Sequence, residues 1–198
     1  MRAPIVWRRM ERRHMPDSAA RGFEDLVAPH LPRLFRLAYR LTGNSSDAQD
    51  LVQDTCVVAC ENIADISAAQ VPLAWLLRVL QNRFIDASRR LARAPFVVVK
   101  DPEGPSSRAS GDPGPEDSLQ QEQSLFLLEA AFQQLEPTQR LLLGLRAEGH
   151  SLADIQDITG IPREVLRARL HRARQSLARH LQQTGRATLP ASRARSSA

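Results

Sequence analysis

Two blocks of sequence in which apolar residues recur every third or fourth position are held apart by a stretch that no helix or strand core can use. From Pro95 to about Glu116 the chain turns to Pro, Gly, Ser and Asp, most clearly in Asp101-Pro102-Glu103-Gly104-Pro105 and Gly111-Asp112-Pro113-Gly114-Pro115. Proline removes a backbone donor and glycine is entropically costly to order, so this stretch reads as a linker between two domains. In the first block Leu31, Leu34, Phe35, Ala38 and Leu41, then Leu51, Val52, Thr55 and Ala59, then Trp75, Leu76, Val79 and Leu80 follow the helical repeat. About three or four packed helices bury stripes of this kind. The break Thr42-Gly43-Asn44-Ser45-Ser46 offers a glycine to end one helix and a Ser or Asp to cap the next, and Pro72 suits the first turn of the helix carrying Trp75. The expected fold is all-α: a basic flexible arm over 1–20, a helical domain over 21–94, the linker over 95–117, a second helical domain over 118–183 and a disordered tail over 184–198. The short run Phe96 to Val99 has the composition of a strand but no partner strand, so it is expected to pack on a helix or stay extended.

Hydrophobic residues at 42% supply a core, and a net charge of +5 points to a polyanionic partner. Lys100 is the only lysine. The remaining basic residues are arginines, which grip phosphate and guanine in a bidentate way that lysine does not, although codon bias in a GC-rich genome gives the same composition. Cys56 and Cys60 are too few for a disulfide framework, and no apolar run is long enough to span a bilayer or to form a signal-peptide core. The expectation is a cytoplasmic protein with no stable membrane insertion.

The sharpest local pattern is Ser151 to Pro162 followed by Arg163 to Leu181. Ser151 is placed to cap a short helix, Leu152 and Ile155 face inward, Gly160 can take a left-handed conformation, and Ile161 plugs the corner. Leu166, Leu170, Ala173 and Leu177 then mark one buried stripe of a second helix. Its other positions carry Arg163, Arg167, Arg169, Arg172, Arg174 and Arg179, with Glu164 the only acid. This is the pattern of a helix-turn-helix whose second helix enters the major groove.

Two helices of the first block carry opposite charges. Asp47, Asp50, Asp54 and Glu61 stand on a segment without a basic residue, as expected of a protein-docking face. Arg78, Arg83, Arg89, Arg90 and Arg93 accompany Asn82 on the helix that starts near Pro72, as expected of a face for nucleic acid, with Asn82 able to hydrogen-bond an exposed base edge.

At these residues the chain resembles the extracytoplasmic-function sigma factors of bacterial RNA polymerase. Asp47-Ala-Gln-Asp-Leu-Val-Gln-Asp54-Thr55 is similar to the family's polymerase-clamp-binding helix. Pro72-Leu-Ala-Trp75-Leu76 with Asn82, Asp86 and Arg89-Arg90 is similar to its promoter-melting helix. Leu135-Glu-Pro137-Thr-Gln-Arg140, Glu148-Gly149-His150-Ser151, Gly160-Ile161-Pro162 and Arg169-Leu-His-Arg-Ala-Arg174 resemble the domain that binds the upstream promoter element. The resemblance implies two small helical domains, the region 2-like and region 4-like units of that family. It implies contact with the polymerase core through Asp47, Asp50, Gln53 and Asp54. The minus-ten element would be held by Asn82, Arg89 and Arg90 with the loop from about Ala64 to Val71, and the minus-thirty-five element by Arg167, His171 and Arg172. Arg163 joins the last set on geometry alone. Promoter DNA, the polymerase clamp and an anti-sigma factor are the implied partners, with no cofactor, no metal and no enzymatic step. The chain departs from the family pattern at Glu164-Val165, where Gly-Thr is usual, at Ala168, at Gln156 and Thr159, and at Cys56 and Cys60, where aromatic residues are common.

Three other readings fit parts of the sequence. Cys56 and Cys60, one helical turn apart, make a metal or redox site conceivable with His30 as a third ligand. A stand-alone helix-turn-helix regulator whose first block dimerises or senses a ligand predicts tight duplex binding without polymerase. A sigma mimic that only engages an anti-sigma partner is the third. No phosphate-binding glycine loop, His-Glu-x-x-His or nucleophile with a base supports an enzyme.

Overall fold

The computed structural model describes residues 17–93 and 115–188, and every described element is helical. In chain order these are α1 (Asp17–Leu26), a 3-10 turn (Ala28–His30), α2 (Leu31–Thr42), α3 (Ser45–Glu61), α4 (Ile63–Ala68), α5 (Pro72–Arg93), α6 (Pro115–Gln133), α7 (Pro137–Ala147), α8 (Leu152–Thr159) and α9 (Arg163–Thr188). Residues 1–16, Phe96 to Val99 with most of the linker, and 189–198 lie outside the described residues. The bounds of the helices differ from the sequence reading at three places. α1 starts inside the expected arm, α6 starts at Pro115 inside the expected linker, and α9 runs on to Thr188, past the expected start of the tail.

Local chemistry sets the breaks. α2 buries Leu34, Leu37, Ala38 and Leu41, and Gly43 ends it at φ 79°, its N–H donating to the Tyr39 carbonyl. An L side chain rarely adopts that conformation, so glycine is what the turn requires. The cap of α3 is Asn44, not the Ser or Asp expected: its Oδ1 accepts from the Asp47 backbone N–H at 2.7 Å, and its Nδ2 donates to Asp47 Oδ2 at 2.7 Å. Asn serves here because its amide offers an acceptor to the backbone and a donor to the side chain. α3 buries Ala48, Leu51, Val52, Thr55, Cys56 and Ala59, and the Thr55 hydroxyl is satisfied by the Leu51 carbonyl at 2.8 Å. On α5 the buried positions are Leu76, Leu77, Leu80 and Phe84, while Trp75 and Val79 are half-buried.

In the second block Glu136 caps α7 and Pro137 occupies its first turn. α8 opens on a full capping box: Ser151 Oγ accepts from the Asp154 N–H at 3.1 Å, and Asp154 Oδ2 accepts from the Ser151 N–H at 2.7 Å. Gly160 closes it at φ 70°, so the expected corner is present. Leu166, Leu170 and Ala173 are buried along α9, Leu177 is partly buried, and Ser176 adds a buried position that the apolar pattern did not show.

The two blocks pack on each other. α2 lies against α7, α5 against α7 and α8, and one apolar cluster runs from Phe23 and Leu41 of the first block to Leu142, Ile155 and Leu166 of the second. Gly144 on α7 makes the close approach possible: a Cβ there would stand 3.1 Å from Leu37 Cδ1 and 3.4 Å from Leu41 Cδ2.

Candidate nucleic-acid interface

Because Leu166, Leu170 and Ala173 face the core, the opposite side of α9 faces solvent. Arg163, Arg167, His171 and Arg172 are all exposed. At about 100° per residue, Arg167, His171 and Arg172 fall between 100° and 240° round the helix from Leu166. No hydrogen bond or ion pair among the described residues engages the Arg163, Arg167 or Arg172 side chains, so these charges are free to meet phosphate or base edges. His171 is tied, its Nε2 lying 3.0 Å from Gln175 Nε2. The capping box and the Gly160 corner hold α8 across the start of this helix, the geometry of a groove-reading pair.

On α5, Asn82, Arg89 and Arg90 are exposed. Asn82 and Arg89 are seven residues apart and so share one face, with Arg89 3.7 Å from Asp86, whereas Arg90 falls about 100° further round. Arg78, read from the sequence as part of this basic face, is turned to protein: its Nη2 donates to the Asp157 carbonyl on α8. The stretch from Ala64 expected as a loop is mostly the helix α4, and only Ala69 to Val71 are non-helical.

The acidic helix behaves differently. Asp47, Asp50 and Asp54 share one face of α3 and line a groove of about 360 Å³ with Leu41, Leu51, Phe84, Arg83, Leu91 and Arg140. Gln53 is half-buried and does not line this groove. Asp50 and Asp54 are exposed and form no ion pair among the described residues, which leaves them available to a cationic partner surface.

Sequence reasoning missed what holds the two blocks together. Arg140 Nη1 donates to the Leu41 carbonyl at 2.7 Å and to Gln133 Oε1 at 2.8 Å, while Nη2 donates to the carbonyls of Gln133 at 2.8 Å and Leu135 at 3.1 Å. Its guanidinium also lies 5.9 Å from the Phe84 ring centroid. One cation thus satisfies orphan carbonyls at the C-terminal ends of α2 and α6, where helix dipoles favour positive charge. Burial pulls its pKa below the usual arginine value. Beside it Arg40 pairs with Glu148 at 2.8 Å, Arg36 with the same carboxylate at 3.4 Å, and Gln133 Nε2 donates to the Arg40 carbonyl at 3.0 Å. Arg140 entered the sequence reading only as the end of the Leu135 to Arg140 motif, and its role across the seam was not legible because the partner there, the Leu41 carbonyl, lies 99 residues away.

Cys56 is buried and its thiol pushed up to about 12 by desolvation, the opposite of a reactive or ligating cysteine. With His30 and Cys60 it forms no group of metal-ligand spacing among the described residues.

Comparison with known proteins follows the same division. The profile for Sigma-70 region 2 matches residues 26–94 and that for Sigma-70, region 4 matches residues 125–177. The ECF RNA polymerase sigma factor SigL of Mycobacterium tuberculosis is 33% identical, over 81% of this chain and 89% of that protein. The chain belongs to the extracytoplasmic-function sigma factors. This sigma factor is also 32% identical to SigE of Mycolicibacterium smegmatis over 83% of its own length, and spans 63% of that longer relative. Its fold matches the sigma factor RpoE from Bartonella quintana, solved in complex with the anti-sigma factor NepR, at a TM-score of 0.63 and 25% identity over 81% of this chain and 96% of that one. The expected all-α, two-unit fold of the sigma factor stands.

Proposed function

We propose that the chain binds the core of bacterial RNA polymerase and directs it to promoters by holding a minus-ten and a minus-thirty-five element. The observation that carries this reading is the solvent face of α9, where arginines without intramolecular partners stand opposite a buried stripe, behind a capped α8 and a glycine corner. Arg163, Arg167, His171 and Arg172 contact the upstream duplex, and Asn82, Arg89 and Arg90 take the melted downstream strand. Holding an unstacked base offsets the few kcal/mol that melting costs, and the arginines favour the separated strand. Asp47, Asp50 and Asp54, with Gln53 at the edge, meet a basic surface of the polymerase clamp. An anti-sigma factor is a further partner, as for RpoE. We assign the chain no catalytic step, no cofactor and no metal, and place it in the cytoplasm with the polymerase. Among the described residues no helix is long and apolar enough to cross a membrane.

Reading both elements at once requires the two blocks to separate. Elements named for positions minus ten and minus thirty-five are centred about 25 base pairs apart, roughly 85 Å of duplex. A compact chain of this length has a radius of gyration of about 16 Å. The packed arrangement therefore belongs to the free protein, and Arg78, now bonded to α8, is released for nucleic acid when the blocks part. Run-off transcription on genomic fragments with purified core polymerase tests the proposal. Discrete new start sites in the presence of the protein are expected, whereas tight duplex binding by the protein alone with no new transcript favours a stand-alone regulator.

A further inference from the structure

The outward stripe of α9 is not purely basic. Glu164, Ala168, His171 and Gln175 follow the same four-three-four spacing as the buried stripe, two residues out of phase with it, and all four are exposed. They form the centre line of the face turned away from the core, and Arg163, Arg167 and Arg172 flank it. Glu164 stands in the first turn, where a groove-reading helix places the side chains that reach base edges. Its carboxylate forms no ion pair among the described residues, although Arg167 is three positions along the same helix.

An acid on the leading edge of a helix aimed at a polyanion is unfavourable unless a donor meets it. The major-groove edges of the bases offer few. Guanine presents two acceptors, and thymine an acceptor and a methyl group. Adenine presents a donor beside the N7 acceptor, and cytosine the N4 amino donor alone. A carboxylate therefore favours cytosine, tolerates adenine poorly and is repelled by guanine and thymine, an exclusion that sharpens selection as much as the attraction does. Resting on the reading of α9 as the upstream-element helix, we propose that Glu164 is a specificity-determining residue that selects cytosine at one position of that element.

The test is selection of a random-sequence duplex library, placed upstream of a fixed downstream element, by core polymerase reconstituted with the full chain. The wild-type protein is expected to enrich cytosine at one position. Glu164→Ala should flatten that position alone, by about tenfold in relative preference. Glu164→Gln should move it toward adenine, whose N6 and N7 suit a glutamine amide. Cytosine retained by Glu164→Ala, or preference lost evenly at every position, overturns the proposal. An acid in the first turn also favours the helix dipole. A role confined to that would lower the melting temperature of both variants and leave base preference unchanged, which equally overturns it. A library from which the wild-type holoenzyme enriches nothing removes the promoter-reading role of α9 itself, and so separates that failure from the failure of Glu164 alone.

Discussion

At the scale of single residues, Arg167 carries the clearest expectation. It lies on the exposed side of α9, about 100° from the buried Leu166, and its guanidinium has no partner within the described protein. Truncation to alanine removes no hydrogen bond or ion pair among the described residues, so Arg167→Ala is expected to weaken binding of the upstream element by about 1 to 3 kcal/mol while leaving the melting temperature and binding to core polymerase unchanged. Titration of fluorescent promoter duplex with reconstituted holoenzyme measures the first, and competition for core polymerase the second. Equal promoter affinity of variant and wild type removes Arg167 from the interface. Arg140 shows the contrast. It too is an arginine on a helix of the second block, but it is half-buried and both its Nη groups donate to carbonyls and an amide of its own chain. Residue type was legible in the sequence at both positions. Which arginine is left to solvent and which meets backbone depends on what packs opposite, and only the fold supplies that.

At the scale of elements, the capping box of α8 gives a prediction with a pH dependence. Hydrogen bonds from the Ser151 backbone N–H and side chain hold the Asp154 carboxyl below its ordinary value. A folded-state pKa below the unfolded one means that the contribution to stability is present above the unfolded value, near pH 3.8, and is lost as pH falls through the folded value. Ser151→Ala is expected to cost about 1 kcal/mol of stability at neutral pH and to move the Asp154 pKa back toward its ordinary value. Denaturant unfolding and carboxyl NMR titration read the two effects, and an unmoved Asp154 titration would show that the backbone N–H of residue 151, which the substitution keeps, sets it without the hydroxyl. This element was legible because its chemistry is local: Ser151 and Gly160 lie within ten residues and each has one favoured role, although the Asp154 half of the box was not read. The start of α3 was less so. Asn44, Ser45, Ser46 and Asp47 are all competent caps, and the choice of Asn44 follows from where Gly43 ends α2. α4 escaped notice because six residues with one buried side chain, Ile66, leave no stripe to count.

At the scale of the whole molecule, the sequence contains both halves of the interface but not the fact that they meet. Leu41 reads as an ordinary position of one core, and neither Leu37 nor Gly144 stands out in the sequence. Together they form a seam, because a residue without a Cβ lets α7 approach α2. Apolar burial, the Arg140 contacts and the Glu148 pairs hold the blocks closed, whereas a promoter about 85 Å long in the relevant span can be held only by an open chain. The same contacts that stabilise the free protein must therefore oppose DNA binding, and weakening them should favour it. Gly144→Val is the direct probe, since its added side chain would crowd Leu37 and Leu41 across the seam without removing the Arg140 side chain. Small-angle scattering is expected to show a radius of gyration above that of the closed wild type, and the free variant is expected to bind upstream duplex more tightly than the free wild type. Arg140→Ala should act in the same direction, with an added loss of stability because the carbonyls of Leu41, Gln133 and Leu135 lose their donor. If Gly144→Val melts earlier but stays compact and gains no affinity for duplex, the seam is part of a single rigid core, and separation of the blocks must be driven entirely by the binding energy of polymerase.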